Sequence, residues 1–508
     1  MVPSLIGASL EYVTSRGNPG AQARTQNELA AELPGSVPQG ESLQLVSGNS
    51  TKLSLRTRCA ARSAMLIAGT SRALRRGSGT VIGGQVALTM DPHVLARLSA
   101  GRLVALVSGT NGKTTTTKLL AAAVGTLSGV VTNEGGANLP GGLVAALAGG
   151  SRGVPAVLEV DEGYLGMVAE VARPHVIVLL NLSRDQLDRV SEVRMQADKW
   201  RAALSRLASA RVVANCDDPL VVWAAGTAGS VTWVAGGQSW RGDSAGCPSC
   251  DDHLIYDSGK WACGCGFSRP EPDAWVEDGV LRMKSSRPGF SGDDVAAWPI
   301  RLPLPGRCNL SNAAMAISAA ALMGAGVKEA LSAIASISEV AGRYSLVQVD
   351  GVQVRMLLAK NPAGWMELLE LLEETKRPSV IAINARLADG QDPSWLWDVP
   401  FERLADRFVV ASGDRCWDLA VRLTYANVPH ITVRELSRAL LSTDGPSIDF
   451  AGNYTAFQDL RRYLAGRRPA VLGNASSQTP IATSTSSPLP GIIADHPGTD
   501  PEDRSSKE

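Results

Sequence analysis

At 508 residues, 44% of them hydrophobic, the chain is long enough for two or three domains with a large buried core and too long for one small one. Lysine plus arginine and aspartate plus glutamate both number 49, a balance that gives no reason to expect nucleic acid as a partner. No apolar run approaches the ~20 residues that cross a bilayer, and the first residues lack the basic start and apolar centre of a secretion signal, so a cytoplasmic protein is expected.

Residues 1–50 are rich in Gly, Ser, Pro, Asn and Gln with little periodicity, which predicts a flexible extension. From Lys52 to Gln85 there is no acidic residue, while Arg56, Arg58, Arg62, Arg72, Arg75 and Arg76 alternate with Leu55, Met65, Leu66, Ile67 and Leu74 in an amphipathic helical pattern. Such a helix suits either peripheral contact with the anionic inner membrane surface or packing on the next domain.

An apolar strand, Val104 to Val107, then runs through Gly109-Thr-Asn-Gly-Lys-Thr114 into an alanine- and leucine-rich helix. This is the pattern of a nucleotide phosphate cradle. Backbone N–H groups and the helix N-terminus face the phosphates, Lys113 neutralises the outer ones and Thr114 holds magnesium. The expected ATP contacts are Gly109, Thr110, Asn111, Gly112, Lys113, Thr114 and Thr115. The compact Gly-x-x-Gly-Lys-Thr form recurs in ligases that use ATP to make a carboxylate reactive. Further β-branched runs at Ala156 to Val160, Val176 to Leu180 and Val212 to Asn215 predict buried parallel strands, hence an α/β nucleotide-binding domain. Glu159 falls at the end of its strand, at the sheet edge where doubly wound folds bind ligands, and with Thr114 it could hold the magnesium ion. Asp161 and Glu162 are nearby acids without an assigned role. Asp185 and Asp188 are spaced for one face of a helical turn, and Lys199 reads as an exposed helical lysine.

Cys247-Pro-Ser-Cys250 and Cys263-Gly-Cys265, flanking a hairpin pattern with Tyr256 and Trp261, give four thiolates at the spacing of a closed zinc ribbon. Four sulfur ligands fill a tetrahedral site, so the zinc is expected to be structural, with His253 as a conceivable substitute ligand. Cys59, Cys216, Cys308 and Cys416 are scattered, and no structural disulfide is expected. A second alternating series follows: Val352 to Leu358, Val380 to Asn384, Phe408 to Ala411 and Ile431 to Val433 as strands, with Trp365 to Glu374 and Cys416 to Tyr425 as helices. The predicted organisation is an extension over 1–50, a central domain over 51–340 with the ribbon inserted at about 243–270, a smaller α/β domain over 341–473, and a disordered Ser/Thr/Pro-rich acidic tail over 474–508.

Taken together, Gly109 to Thr114, Glu159, Asn181 to Asp188, Asn215-Cys-Asp-Asp-Pro219 and Gly306-Arg-Cys-Asn-Leu-Ser-Asn312 resemble the Mur ligase family, the ATP-dependent enzymes of bacterial cell-wall peptide assembly. The resemblance implies a Mur-ligase-type central domain, a Rossmann-like C-terminal domain and an adenine contact from Asn309, and it sets Lys199 near the modified lysine of some Mur ligases, the alternative to an exposed helical lysine. The family usually carries histidine where this chain has Gln186, and aspartate and histidine where it reads Leu358-Ala-Lys-Asn-Pro362, a departure from ordinary amino-acid ligation. The ribbon, the Lys360 segment and the loop Ala388-Asp-Gly-Gln-Asp-Pro-Ser-Trp-Leu-Trp-Asp398 are similar to the MurT-type synthetase subunits of lipid II isoglutaminyl synthases. That resemblance implies ATP-dependent amidation of the D-glutamate α-carboxylate of lipid II, through an acyl phosphate, with ATP, magnesium and structural zinc as cofactors.

Glutamine hydrolysis needs a cysteine activated by a histidine. None of the five histidines, His93, His175, His253, His430 and His496, sits in a recognisable nucleophile motif. A separate glutaminase subunit is therefore expected; the resemblance implies that it is of GatD type and that Asp392 supports its catalytic histidine. Asp389 and Asp398 compete for the role, and Asp392 could simply cap its turn. Trp395 and Trp397 would serve either the partner surface or the domain's own core. The rival readings are a Mur- or folylpolyglutamate-type amino-acid ligase and a non-enzymatic nucleotide-binding zinc-ribbon module.

Overall fold

The computed structural model describes residues 53–466 apart from 74–78, 134–135, 185–192, 239, 285–294, 339–343, 350, 376 and 444. The expected extension over 1–50 and tail over 474–508 lie outside the described residues, as do Asp185, Gln186 and Asp188.

Three helices, α1 (Leu55–Ala73), α2 (Thr80–Met90) and α3 (Val94–Ser99), precede an alternating series. It runs β1 (Val104–Ser108), α4 (Lys113–Val124), β2 (Val131–Thr132), α5 (Pro140–Gly149), β3 (Ala156–Glu159), α6 (Leu165–Ala172), β4 (Val176–Leu179), α7 (Val193–Leu204), β5 (Arg211–Asn215), α8 (Pro219–Ala225) and β6 (Ser230–Ala235). A two-stranded hairpin, β7 (Ile255–Asp257) and β8 (Lys260–Ala262), stands apart from the sheet. β9 (Ala274–Glu277), β10 (Val280–Lys284) and β11 (Val295–Pro299) then rejoin it, followed by α9 (Arg307–Leu322) and α10 (Val327–Ile334).

The first sheet has the order β11-β10-β9-β6-β5-β4-β1-β3-β2, parallel from β2 to β9 and antiparallel beyond. Both faces are covered, which is why its central strands are unbroken apolar runs. Along β1, Val104 and Leu106 enter a core shared with α3, α5, α6 and α7, while Ala105 and Val107 enter another shared with α4, α9 and α10. That alternation is the period-two geometry of a strand.

The basic helix α1 packs on α2 and α5, but not through the apolar set that its sequence pattern suggests. Its inward face is Thr57, Ala60, Ala64 and Ala68, whereas Leu55, Met65 and Leu66 are exposed. Close helix approach admits only small side chains on the inner face.

The second sheet contains β12 (Tyr344–Val349), β13 (Val352–Leu358), β14 (Ser379–Ala382), β15 (Val409–Ser412), β16 (His430–Thr432) and β17 (Ser447–Gly452), in the order β12-β13-β17-β14-β15-β16. Only β12 runs antiparallel to its neighbour. Helices α11 (Pro362–Glu373), α12 (Cys416–Tyr425), α13 (Leu436–Leu441) and α14 (Tyr454–Ala465) complete it. The central strand β17 is absent from the sequence-based expectation, because Asp449 interrupts its apolar run. In the parallel register Asp449 sits opposite Arg355 of β13. Arg355 Nε and Nη2 reach its two carboxylate oxygens at 2.8 Å each, and Nη2 also donates to Leu371 O and Thr375 Oγ1.

Both members of that pair are buried, so removing Asp449 leaves Arg355 charged and without its carboxylate in a dry core. Asp449→Ala is expected to cost about 3–5 kcal/mol in urea unfolding, whereas replacing both charges at once with apolar side chains, Arg355→Met with Asp449→Leu, should cost far less. Equal losses in both variants would contradict a desolvated pair.

Candidate active site

The turn between β1 and α4 turns back tightly at two glycines. Gly109 has φ 146° and Gly112 φ 80°. A Cβ on Gly109 would meet Leu180 Cβ at 2.9 Å, and one on Gly112 would meet Asn312 Oδ1 at 2.7 Å. Asn181, just past β4, stitches the turn in place: its carbonyl accepts from Thr110 N (2.9 Å), its Oδ1 from Asn111 N (2.8 Å), and its Nδ2 donates to Asn111 O (3.2 Å). The Thr110 hydroxyl and Ser183 exchange two further bonds at 3.0 Å. The N–H groups of Thr110 and Asn111 are thus engaged by Asn181, whereas the first turn of α4, from Lys113 through Thr114 and Thr115, begins with the N–H groups that a helix leaves without intrahelical acceptors.

Lys113 is buried, its Nζ donating to the carbonyls of Gly109 (2.5 Å) and Thr110 (3.1 Å) and to Glu162 Oε2 (3.0 Å). Glu162, an acid without an assigned role in the sequence, is thus the counter-charge of the loop lysine. Its carbonyl is held by Gln196 Nε2 and Trp200 Nε1 of α7. Asp161 instead caps its own turn, accepting from Gly163 N at 3.0 Å.

Glu159 is buried at the end of β3, where the Asn133 side chain brackets its backbone and Asn138 Nδ2 reaches Oε1 at 3.3 Å. A buried carboxylate on the phosphate side of the sheet, served by so long a hydrogen bond, is a donor suited to a hard cation. Thr114, half-buried in the first turn of α4, carries the hydroxyl expected of such a set.

A cleft enclosing about 100 Å³ lies between the two sheets, lined by Gly112, Thr115, Asn309, Tyr344, Leu357 and Lys360, among others. Asn309 is on its wall, in the first turn of α9, with Nδ2 donating to Pro305 O at 2.6 Å. Across it, Asn111 and Asn361 exchange side-chain bonds at 3.1 and 3.3 Å, while Asn361 Oδ1 also accepts from Gly364 N to cap α11. The Lys360 segment is therefore a direct contact between the second sheet's domain and the phosphate turn. Lys199 is exposed on α7, as expected.

Cys247, Cys250, Cys263 and Cys265 converge with all four sulfurs within 4.8 Å of one another. Cys247 and Cys265 are 3.7 Å apart and Cys250 and Cys263 3.5 Å, close to the spacing of about 3.8 Å that a tetrahedron of 2.3 Å zinc–sulfur bonds requires. The group does not include His253. The hairpin turns at Ser258 and Gly259, both at positive φ, and its small core of Leu254, Trp261 and Phe267 leans on Cys216 and Val222. Three of the other cysteines are poor nucleophiles. Burial pushes the Cys216 thiol up to about 12 and raises Cys308 and Cys416 as well.

The tryptophan loop resolves into distinct roles. Asp389 is buried and accepts from Thr455 N (2.8 Å) and from its hydroxyl, so it ties the loop to α14. Asp398 faces Arg184 at 3.4 Å, and Arg184 also pairs with Asp243 at 2.5 Å, four residues before Cys247. Asp392 is exposed and accepts from Ser394 N at 2.8 Å. Trp395 is buried against Trp365, whereas Trp397 is exposed, edge-on to Tyr425.

Two family models match: the Mur ligase middle domain over residues 107–238 and the MurT ligase C-terminal domain over 358–457. The lipid II isoglutaminyl synthase (glutamine-hydrolyzing) subunit MurT of Streptococcus pneumoniae is 28% identical over 426 residues, covering 78% of this chain and 94% of its own. The same subunit of Staphylococcus aureus is also 28% identical, with coverages of 76% and 93%. The chain is thus similar to MurT-type ligases over most of its length and carries matches to two Mur ligase domains. Among solved structures, a pseudomurein peptide ligase type C from Methanothermus fervidus superposes with TM-score 0.57 at 19% identity, over 74% of this chain and 81% of that one. MurF from Acinetobacter baumannii gives 0.55 at 16%, over 75% and 80%, and both likenesses establish a shared Mur ligase fold.

One residue of the Asn215–Pro219 motif, beside the phosphate turn, has a role that the sequence does not reveal. Asp218, fully buried, caps α8 through Leu220 N and Val221 N and also accepts from Leu182 N, one residue past Asn181. Burial pushes its carboxyl up from 3.8 to about 6 despite those bonds. The folded state thus binds a proton between about pH 4 and about pH 6 that the unfolded chain does not. Its contribution to stability falls as pH rises through that window, by up to about 3 kcal/mol. Asp218→Asn should flatten that part of the stability curve in urea titrations at stepped pH; a curve parallel to that of the parent would refute the assignment.

Proposed function

We propose that this Mur-type ligase amidates the α-carboxylate of D-glutamate in the stem peptide of lipid II, on the cytoplasmic face of the membrane, using ammonia from a separate glutaminase subunit of GatD type. The observation that carries the reading is a full phosphate turn, with its buried lysine and strand-end carboxylate, latched through Asn361 to a second domain of the MurT type. The substrate carboxylate attacks the terminal phosphorus of ATP, forming an acyl phosphate and releasing ADP. Ammonia then adds to the acyl carbon and phosphate leaves with the bonding pair, while the surplus proton is lost from nitrogen. Lys113 serves as the cation over the transferred group, released from Glu162 when phosphates occupy the turn. Magnesium, held by Thr114 and Glu159, would supply further charge neutralisation. Asn309 is assigned to adenine, and Asn361 holds the second domain against the turn so that water is kept from the reactive acyl group.

The partner is assigned to the face beside Asp392. Trp417, Val421 and Tyr425 follow one another on the outer face of α12, and with Trp397, edge-on to Tyr425, they form an exposed apolar surface of the kind that anchors protein interfaces. Asp392 at its margin would orient and electrostatically support the glutaminase histidine. The four-cysteine cluster is assigned to structural zinc.

The test supplies purified chain with lipid II and ATP, offering ammonium, candidate amino acids, or glutamine plus the glutaminase. Amidation with ammonium that Lys113→Ala abolishes is expected; coupling of an amino acid instead, or no ATP turnover with substrate and partner present, would sink the reading. Asp392→Asn should lower glutamine-dependent amidation by about 10³-fold or more while ammonium-dependent activity survives, and equal loss of both would reject the cross-subunit role. For the cluster, elemental analysis should find one zinc per chain, and Cys247→Ser should lower both zinc content and folding yield. Metal-free protein of full stability would remove zinc from the description.

A further inference from the structure

The hairpin of α1 and α2 is built with its small residues inward. Ala60, Ala64 and Ala68 of α1 and Gly83, Gly84 and Ala87 of α2 are all buried in the seams of the hairpin, Gly83 against Ala64 and Gly84 against Gly141 of α5. The seam leaves no room for more: a Cβ on Gly83 would stand 2.5 Å from Ala64 O, and one on Gly84 1.7 Å from the carbonyl oxygen of Gly141 in α5. Large apolar side chains are consequently turned outward. Leu55 is 75% exposed, Leu66 71% and Ile82 67%, with Met65, Val81, Val86 and Met90 also exposed. Helices of a water-facing surface normally show the reverse distribution.

The charge on this surface has one sign. Arg56, Arg58 and Arg62 are exposed on α1, and no acidic residue occurs in the sequence from Leu53 to Met90. The first acid, Asp91, is buried and paired with Arg97 at 2.8 Å. On α1, Leu55, Arg62 and Leu66 fall on one helical face, since the spacings of seven and four residues are near two turns and one. Leucines flanked by arginines on the outer face of a helix are the arrangement of an interfacial helix. The apolar chains enter the acyl boundary while the guanidinium groups, on long stems, reach anionic head groups.

We propose that the outer face of the α1–α2 hairpin docks on an anionic lipid bilayer. The proposal rests on the preceding reading for its purpose, because a lipid-borne substrate must be met at the membrane, although docking itself can be measured without catalysis. The position of the hairpin suits that purpose. It packs on α5, which begins two residues after Asn138, and Asn138 bonds the carboxylate of Glu159 in the candidate active site. A bilayer under α1 and α2 would therefore lie on the side of the domain from which α5 leads to the reacting end of the sheet.

The test is co-sedimentation of the full chain with vesicles of equal parts phosphatidylcholine and phosphatidylglycerol, and with phosphatidylcholine alone, in the absence of ATP and lipid II. Binding to the anionic vesicles is expected to exceed binding to neutral ones by at least about tenfold and to weaken with added salt. Leu66→Ser with Ile82→Ser, and separately Arg58→Gln with Arg62→Gln, should each lower it by about tenfold or more. These side chains are exposed, so thermal unfolding should match the parent. Wild-type protein that ignores anionic vesicles, that binds both kinds alike, or whose binding survives both double substitutions would overturn the proposal. So would self-association of the wild type that the Leu66/Ile82 variant abolishes, since the face would then join two copies of the chain. A chain that binds vesicles yet amidates nothing would leave docking standing and overturn only the functional reading.

Discussion

The site depends on Asn181. A phosphate turn must expose backbone N–H groups to its ligand, and a turn of this kind has no internal ladder to keep its shape. Asn181 supplies the missing support from the neighbouring strand, using its backbone carbonyl and both side-chain amide atoms on Thr110 and Asn111. Three bonds from one residue fix the first half of the turn, so the second half can face an anion. The two glycines follow from the same constraint, since Asn181 and Leu180 crowd one and Asn312 the other.

Around this turn, charge is arranged in matched pairs. Lys113 is buried and would be costly to leave alone, and Glu162 neutralises it while α7 holds the Glu162 backbone. Arg355 and Asp449 play the equivalent role in the second domain, inside its sheet. The difference is functional: the first pair stands beside the phosphate turn and can be exchanged for an anionic ligand, whereas the second is sealed between strands and helix.

Much of this is legible in the sequence, for definite reasons. Strands such as Val104–Ser108 and Val176–Leu179 are buried on both faces and therefore read as uninterrupted apolar runs, and the helix over Cys416–Tyr425 is located to the residue. The four cysteines can be placed together because their spacing around a hairpin leaves few alternatives. Strand β17 is not visible, because its buried carboxylate breaks the pattern that marks a strand and only Arg355, distant in sequence, explains it. The role of Glu162 is hidden among neighbouring acids of the same type; choosing between Asp161 and Glu162 requires knowing which one faces the lysine. The outer face of α1 is ambiguous for a simpler reason. Its pattern holds two apolar sets, one small and one large, and which set turns inward depends on how closely α2 and α5 approach.

The bond pair between Asn111 and Asn361 has a consequence for how the two halves of the enzyme hold together. Both groups are neutral amides, so this latch does not respond to ionic strength, unlike the nearby Arg184–Asp398 bridge, which is half-open to solvent and softened by salt. Added salt therefore weakens the outer strap without touching the inner latch, so the domain contact at the phosphate turn outlasts the one at its margin.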